Sequence, residues 1–340
     1  MASQVVSVKD VAAHANVSLG TVSNVLNRPE KVSDATRERV QASIERLGFV
    51  RNESARHLRA GQSKTIGFVV LDVSNPFFTD VARGAERAAA RAASSVLIAN
   101  SGERGERELA YLDLFEEQRA QGVLISPGGN VTKRLERLRD RGIPTVLVDS
   151  PAPRPDFSSV QTNDVAGGRL AVSHLIELGR RRIAFVGGPL ALHQIRDRLA
   201  GARLAADAAG LPADAVQHWD AQAPTAEEGK RLGFEIAALR KQERPDAVFA
   251  ANDLLAIGLM QALLLERRVR IPQDIALIGY DDIGWASSAF VPLSSIRQPS
   301  ELIGETAARL LIEESAGMDA YEHQQLQFTP VLVARDSTGG

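Results

Sequence analysis

From Thr65 onward, short apolar runs alternate with longer segments whose apolar positions recur every three or four residues. Thr65–Leu71, Val96–Ala99, Gly122–Ile125 and Ile143–Asp149 make a first series of runs, with helical spacing from Pro76 and over 106–120 and 131–141. Residues apolar at successive rather than alternate positions predict strands covered on both faces, as in a parallel sheet flanked by helices. The Pro-rich stretch SPAPRPDF over 150–157 breaks the series, and a second one follows: Ile183–Val186, Val216–Trp219, Ala247–Ala250 and Ile275–Ile278, each next to a helical segment. A helix over 299–315 and strands around Leu326–Phe328 and Val331–Val333 end the pattern. It predicts an α/β fold with two doubly wound lobes.

The first 50 residues pattern differently. Ser7 is placed to cap a short helix with Val8, Val11, Ala12 and Ala15 on one face, and Ser18 caps a second over Leu19–Asn27 that turns Val22, Val25 and Leu26 toward the first. A third helix, capped by Ser33, repeats Val40, Ile44 and Leu47 and stops at Gly48. Two short helices joined by about three residues predict a helix-turn-helix whose second helix reads a DNA major groove. Leu19, Gly20 and Asn24 then face base edges, where Asn can bond adenine bidentately and Leu can touch a thymine methyl. Ser18, Thr21, Ser23 and Asn27 suit phosphate oxygens, which set register without reading sequence. A plain three-helix bundle with solvated caps accounts for this pattern equally well.

Residues 51–61 add chemistry that the bundle does not need. Asn52 can cap a two-turn helix ending at Gly61 that carries Arg51, Arg56 and Arg59 around one large apolar residue, Leu58, with Ala55 beside it. An apolar wedge flanked by arginines fits minor-groove insertion. Charge agrees: residues 1–64 hold ten Lys and Arg against six Asp and Glu, net +4, leaving 30 against 36, net −6, for the rest. The whole chain of 340 residues is near neutral at −2, so a polyanion contact is expected only at the basic head.

In the lobes, ligand-binding side chains are expected at the carboxyl ends of the strands. Asp72 with Ser74–Phe78, Ser126, Asp149, Arg198, Asn252–Asp253 and Asp281–Asp282 share that address. Asp, Asn, Arg and an aromatic face together suit a carbohydrate.

The run KDVAAHANVSLGTVSNVLN, followed by VSDATRERVQASIERLGF and NESARHLR, resembles the head of LacI/GalR-family transcription repressors. SNPFF, TNDVAGGRLAVSHLIELGRRRIAFVGG, DRLAG, VFAANDLLAIG, IALIGYDDIG and VPLSSIRQP extend the resemblance through the chain, in the family order, to its periplasmic-binding-protein-like effector domain. The resemblance implies a helix-turn-helix domain over 1–50, a hinge helix over 51–61 and an effector-binding and dimerisation domain over 62–340. It implies a first lobe of about 62–161 and 293–323, a second of about 162–292 and 324–340, and three crossovers between them. It further implies that the hinge helix inserts Leu58 into the minor groove. Phe77, Arg198, Asn252, Asp281 and Gln298 would line the effector cleft, with Asp72, His193, Gln194 and Trp285 near it. Two departures stand out: Gly20 where many members carry a larger side chain, and Ala223-Pro224-Thr225 where some carry an aromatic, a stacking role that Trp285 could take.

The expected function is a transcriptional repressor that binds near-palindromic double-stranded operator DNA as a homodimer and responds to a small effector. A sugar is favoured over a purine or other metabolite because the cleft residues suit hydroxyls. A solute-binding protein for transport is the rival, sharing the lobes but needing export and no head. Phosphate loops, GxGxxG, HExxH and GxSxG are absent, Cys is absent and the six His show no metal-ligand spacing, so neither an enzyme nor a cofactor is expected. The start shows no secretory signal, no segment has the apolar length of a membrane span, and a cytoplasmic protein is expected. Only five residues follow Arg335, without Leu heptads, so the expected assembly is a dimer.

Overall fold

The computed structural model describes residues 6–49, 63–102, 104–265, 269–317 and 321–339. The chain forms two compact units, up to Gln62 and from Ser63 onward. The short hinge helix expected over 51–61, with Arg51, Asn52, Ala55, Arg56, Leu58 and Arg59, lies outside the described residues.

Among its described residues the first unit holds three α-helices, α1 (Val8–Ala15), α2 (Leu19–Asn27) and α3 (Asp34–Leu47). Asp10 closes the start of α1 by accepting from the Ser7 backbone N–H at 2.8 Å and the Ser7 hydroxyl at 2.6 Å. Asn16 ends it in the left-handed region at φ 51°, a conformation Asn tolerates better than most residues. Ser18 Oγ accepts the Thr21 N–H at 3.1 Å and so caps α2. Val11, Ala12, Ala15, Val22, Val25 and Val40 form the core, and small Ala residues let α1 approach its neighbours.

The second unit has two six-stranded sheets. In chain order they are built from β1 (Thr65–Val70), α4 (Pro76–Arg91), β2 (Ser95–Asn100), α5 (Gly105–Glu117), β3 (Gly122–Ile125), α6 (Thr132–Asp140), β4 (Thr145–Val148) and β5 (Ser158–Thr162). Then follow α7 (Asp164–Glu177), β6 (Ile183–Gly187), α8 (His193–Ala208), β7 (Val216–Asp220), α9 (Ala226–Ala238), β8 (Ala247–Ala250), α10 (Asp253–Leu265) and β9 (Ala276–Asp281). β10 (Ser294–Arg297), α11 (Ser300–Ser315), β11 (Gln325–Phe328) and β12 (Val331–Val333) complete it. The strand orders are β11-β5-β4-β3-β1-β2 and β12-β10-β9-β8-β6-β7, and only β12 runs antiparallel to its neighbour. The central strands are buried at every position, which explains their unbroken apolar runs.

Two strands, β5 and β10, lie outside the apolar runs, and β10 and β11 fall in the other sheet from the lobe expected for them. Ser158–Thr162 joins the first sheet, and Ser294–Arg297 joins the second although 293–323 was expected in the first lobe. Gln325–Phe328 pairs with β5 in the first sheet although 324–340 was expected in the second lobe. Hydroxyls make these polar strands possible. Ser158 Oγ bonds Tyr321 Oη at 2.9 Å, Ser294 Oγ bonds the Arg335 carbonyl at 3.0 Å, and Ser295 Oγ donates to Asp253 Oδ1 at 2.7 Å. The chain thus passes between sheets after β5, after β10 and after β11.

Three helix pairs cross at reciprocal glycines. A Cβ on Gly168 of α7 would stand 2.0 Å from the Arg198 carbonyl of α8, and one on Gly201 of α8 would stand 2.0 Å from the Val165 carbonyl of α7. Gly84 and Gly304 join α4 to α11, and Gly229 and Gly258 join α9 to α10, in the same way. Backbone contact of α7 with α8 sets Arg198 beside Asp164, the pair on which the site below is built.

Candidate functional site

On the first unit, α2 presents Leu19, Gly20 and Asn24 to solvent, while Val22 and Val25 face the core. Leu19 is 48% exposed, a large apolar side chain turned to solvent. A side chain at Gly20 would meet only Ser18 Oγ, at 3.7 Å. The hydroxyl and amide groups flanking this face are locally ordered: Ser18 Oγ lies 2.9 Å from Thr21 Oγ1, and Asn27 Nδ2 donates to the Ser23 carbonyl at 2.8 Å. These bonds restrict rotamers before any ligand arrives, lowering the ordering cost of an interface.

In the second unit a cavity lies between the carboxyl ends of the two sheets. Asp72, Asn75, Phe77 and Phe78 come from the turn after β1 and the start of α4, and Asp149 from the end of β4. Gln194, Ile195 and Arg198 come from α8, Asn252 from the turn after β8, and Asp281 from the end of β9. Asn75 caps α4 by accepting the Phe77 N–H at 3.0 Å, and Asn252 caps α10 by accepting the Leu255 N–H at 2.9 Å. Capping fixes both amides, so helix stability and site geometry share the same bonds.

Arg198 is the centre of the arrangement. Its Nε donates to Asp164 Oδ1 at 2.8 Å and its Nη1 to the Ala251 carbonyl at 2.7 Å, and its guanidinium lies 3.6 Å above the Tyr280 ring. Burial works against this charge, but Asp164, Tyr280, Asp281 and Asp149 outweigh it and hold the guanidinium more firmly protonated than usual. Asp281 Oδ1 accepts from Gln298 Nε2 at 2.8 Å, and Oδ2 from Asn75 Nδ2 at 3.4 Å, so residues of both sheets' connections meet at one carboxylate. Burial pushes the Asp281 carboxyl up to about 6 against the pull of Arg198. Asp149, wholly buried with φ 53°, is raised well above the usual range by burial and then by Asp164. Its Oδ1 has no partner, nor has Gln194 Oε1 nor Gln298 Oε1. Such orphaned buried acceptors call for donors on a ligand or on water.

Asp72, Phe77, Gln194, Arg198, Asn252 and Asp281 therefore stand on the cavity wall. Gln298 stands off the wall and acts through Asp281, and His193, its Nε2 unpartnered and its pKa lowered by burial, also stands off it. Trp285 is a correction. It is 57% exposed and lies in an apolar surface groove with Ile257, Met260, Leu264, Leu265 and Phe290, so it supplies no stacking face to the cavity. Leu192 and Pro224 line the wall without having been expected there. Asp164 is in none of the candidate sets read from the sequence, because its pairing with Arg198 spans 34 residues. Among the described residues no His, Asp or Glu cluster can hold a metal ion, and no helix is long and apolar enough to cross a membrane.

Residues 7–52 match the family model for bacterial regulatory proteins of the lacI family, and 172–338 match a periplasmic binding protein-like domain. The chain is 35% identical to the ribose operon repressor of Escherichia coli strain K12, covering 97% of this chain and 99% of the relative. Among solved structures it resembles the lac repressor dimer bound to operator and the anti-inducer ONPF, with a TM-score of 0.81 and 28% identity over 98% of this chain and 99% of that one. A LacI family regulator from Enterococcus faecium with bound ribose matches with a TM-score of 0.73 and 28% identity over 81% of this chain and 98% of that one. A reading helix with an exposed apolar tip, a two-sheet body with a polar cavity, and near full-length identity to a repressor lead to one conclusion: the chain belongs to the lacI family of bacterial regulatory proteins, DNA-binding repressors under small-molecule control, and is not an enzyme.

Proposed function

We propose that the cavity of the second unit binds a small polyhydroxylated effector, a monosaccharide, and that its occupancy sets the affinity of the first unit for operator DNA in the cytoplasm. The donor and acceptor balance of the wall carries this reading. Asp149, Asp281 and Gln194 offer oxygens, with Asp149 Oδ1 and Gln194 Oε1 unpartnered, beside the one guanidinium of Arg198. A ligand dense in O–H donors satisfies that set, and Phe77 with Phe78 offers an apolar edge for its CH surface. The ribose named for one relative and bound in one structural neighbour supports a pentose. A purine is disfavoured by the absence of a stacking face from Trp285.

On the DNA side, Leu19, Gly20 and Asn24 read base edges, while Ser18, Thr21, Ser23 and Asn27 hold phosphates. Arg51, Asn52, Ala55, Arg56 and Arg59 follow the minor groove around Leu58. Two copies act together, and the groove of Trp285 and Phe290 is the face on which the second copy rests. Phe290 is 89% exposed and Leu265 64%, an apolar surface that a free monomer does not stabilise.

The test is a thermal-shift screen of the full chain against pentoses, hexoses and purine bases, followed by operator binding with each hit. A sugar at about 100 times its Kd adds about 2.7 kcal/mol. The same sugar is expected to change operator affinity. Stabilisation by a purine base and by no sugar removes the sugar reading. A sugar that stabilises the protein but leaves operator affinity unchanged removes the control.

A further inference from the structure

The second unit is acidic overall, yet one of its poles is not. At the amino ends of β6, β8 and β9, opposite the cavity, a surface depression is lined by Arg182, Lys241, Arg244 and Arg270, with Asp274 as its one carboxylate. Asp274 is already occupied: Arg270 forks onto it through Nε and Nη2, both at 3.0 Å. Arg182 Nε donates to the Arg244 carbonyl at 3.2 Å, and its nearest acid, Asp246, stands 3.8 Å away. Asp246 is itself committed, because its Oδ1 accepts the backbone N–H groups of Arg181 and Arg182 at 3.0 Å each. Arg244 bonds the Leu239 and Ala237 carbonyls at 2.8 and 2.6 Å, neutral partners at the end of α9 that orient the guanidinium without cancelling its charge. Lys241 adds a third cation to the same wall.

We propose that this depression is a second ligand site, one that takes the phosphate group of a phosphorylated small molecule. Guanidinium forks match phosphate oxygens in pairs, and a dianion satisfies three converging cations better than a single carboxylate does. Pro245 and Ile275 give the organic part of the ligand an apolar wall. β9 joins the two sites: Ile275 precedes it at the pole and Asp281 ends it at the cavity, about 20 Å away at the rise of an extended strand. A ligand at the pole would therefore be a separate input to the same lobe, with no shared contact residue.

The experiment is isothermal calorimetry on the full chain with inorganic pyrophosphate and with inorganic phosphate, ionic strength being held constant with chloride. The expected result is saturable binding of one pyrophosphate per chain, weakened at least tenfold in the double variant Arg182→Gln with Lys241→Gln. That variant should keep the parent's melting temperature without ligand, and if it does not fold, Arg182→Gln alone is read in the same way. No saturable heat overturns the site. Equal affinity in the variant also overturns it, because binding then lies elsewhere, as on the basic first unit. A short duplex of unrelated sequence whose binding falls as far in the variant assigns the pole to nucleic acid and overturns the small-molecule reading.

Discussion

Replacing Asp281 by Asn should make the empty protein more stable while weakening its effector binding. Burial lifts this carboxyl from the usual 3.8 to about 6, despite Arg198, Gln298 and Asn75 drawing it down. At about 1.36 kcal/mol per tenfold change in proton affinity, that gap corresponds to about 3 kcal/mol. The folded-state value lies above the unfolded one, so the group's favourable contribution is complete only below about pH 3.8 and is lost as pH rises through about 6. At pH 8 the wild type therefore bears the whole penalty, at pH 5 about half of it. Asn can still accept from Gln298 and does not ionise. Asp149 and Asp253 are raised in part by the Asp281 charge, so its removal eases both and acts in the same direction. With about 2.1 cal/mol/K of unfolding entropy per residue over a unit beginning at Ser63, about 3 kcal/mol is a rise of about 5 °C in Tm. Thermal unfolding without ligand at pH 5 and pH 8 measures it. A variant less stable than the wild type at pH 8, or a difference that does not shrink at pH 5, refutes the assignment of a buried, penalised carboxylate. Stability given up for binding is the usual cost of a charged site.

Four further outcomes follow from the same geometry. Arg198→Met should abolish effector-induced stabilisation and, by leaving Asp164 buried without its partner, cost about 3–5 kcal/mol in urea unfolding; effector binding at wild-type strength would remove Arg198 from the site. Gly168→Ala forces α7 away from the Arg198 carbonyl and should cost about 1–3 kcal/mol while also lowering effector affinity, which separates it from a remote packing defect. Asn24→Ala should lose about 1–3 kcal/mol of discrimination at one operator base pair per half-site, read by competition among operator variants; a uniform loss at every position would make Asn24 a phosphate contact. Phe290→Asp should shift sedimentation toward the monomer and reduce operator affinity, with effector binding retained; an unchanged dimer would remove the Trp285 groove as the contact face.

Much of this protein is determined locally. Runs such as Phe68–Leu71 and Ala247–Ala250 are apolar at every position because both faces of a central parallel strand are covered, and that requirement is written in one dimension. The caps at Asp10, Ser18 and Asn75 are equally local, since each side chain bonds a backbone group within three residues. The motifs placed Asn252 and Asp281 at strand ends, which topology brings together, whereas Arg198, expected at a strand end as well, reaches the cavity from within α8. Only the tertiary structure decided the rest. Ser158–Thr162 and Ser294–Arg297 became strands despite their polarity, with Ser158 and Ser294 bonded to partners far along the chain, which no run of residues announces. Asp164 became the counter-ion of Arg198 because two glycines let their helices touch at the backbone, and Trp285 left the cavity because the turn after β9 faces α10 instead. Local hydrophobic pattern selects the elements. Burial, which makes an enclosed charge or hydroxyl costly without a partner, selects which of them meet.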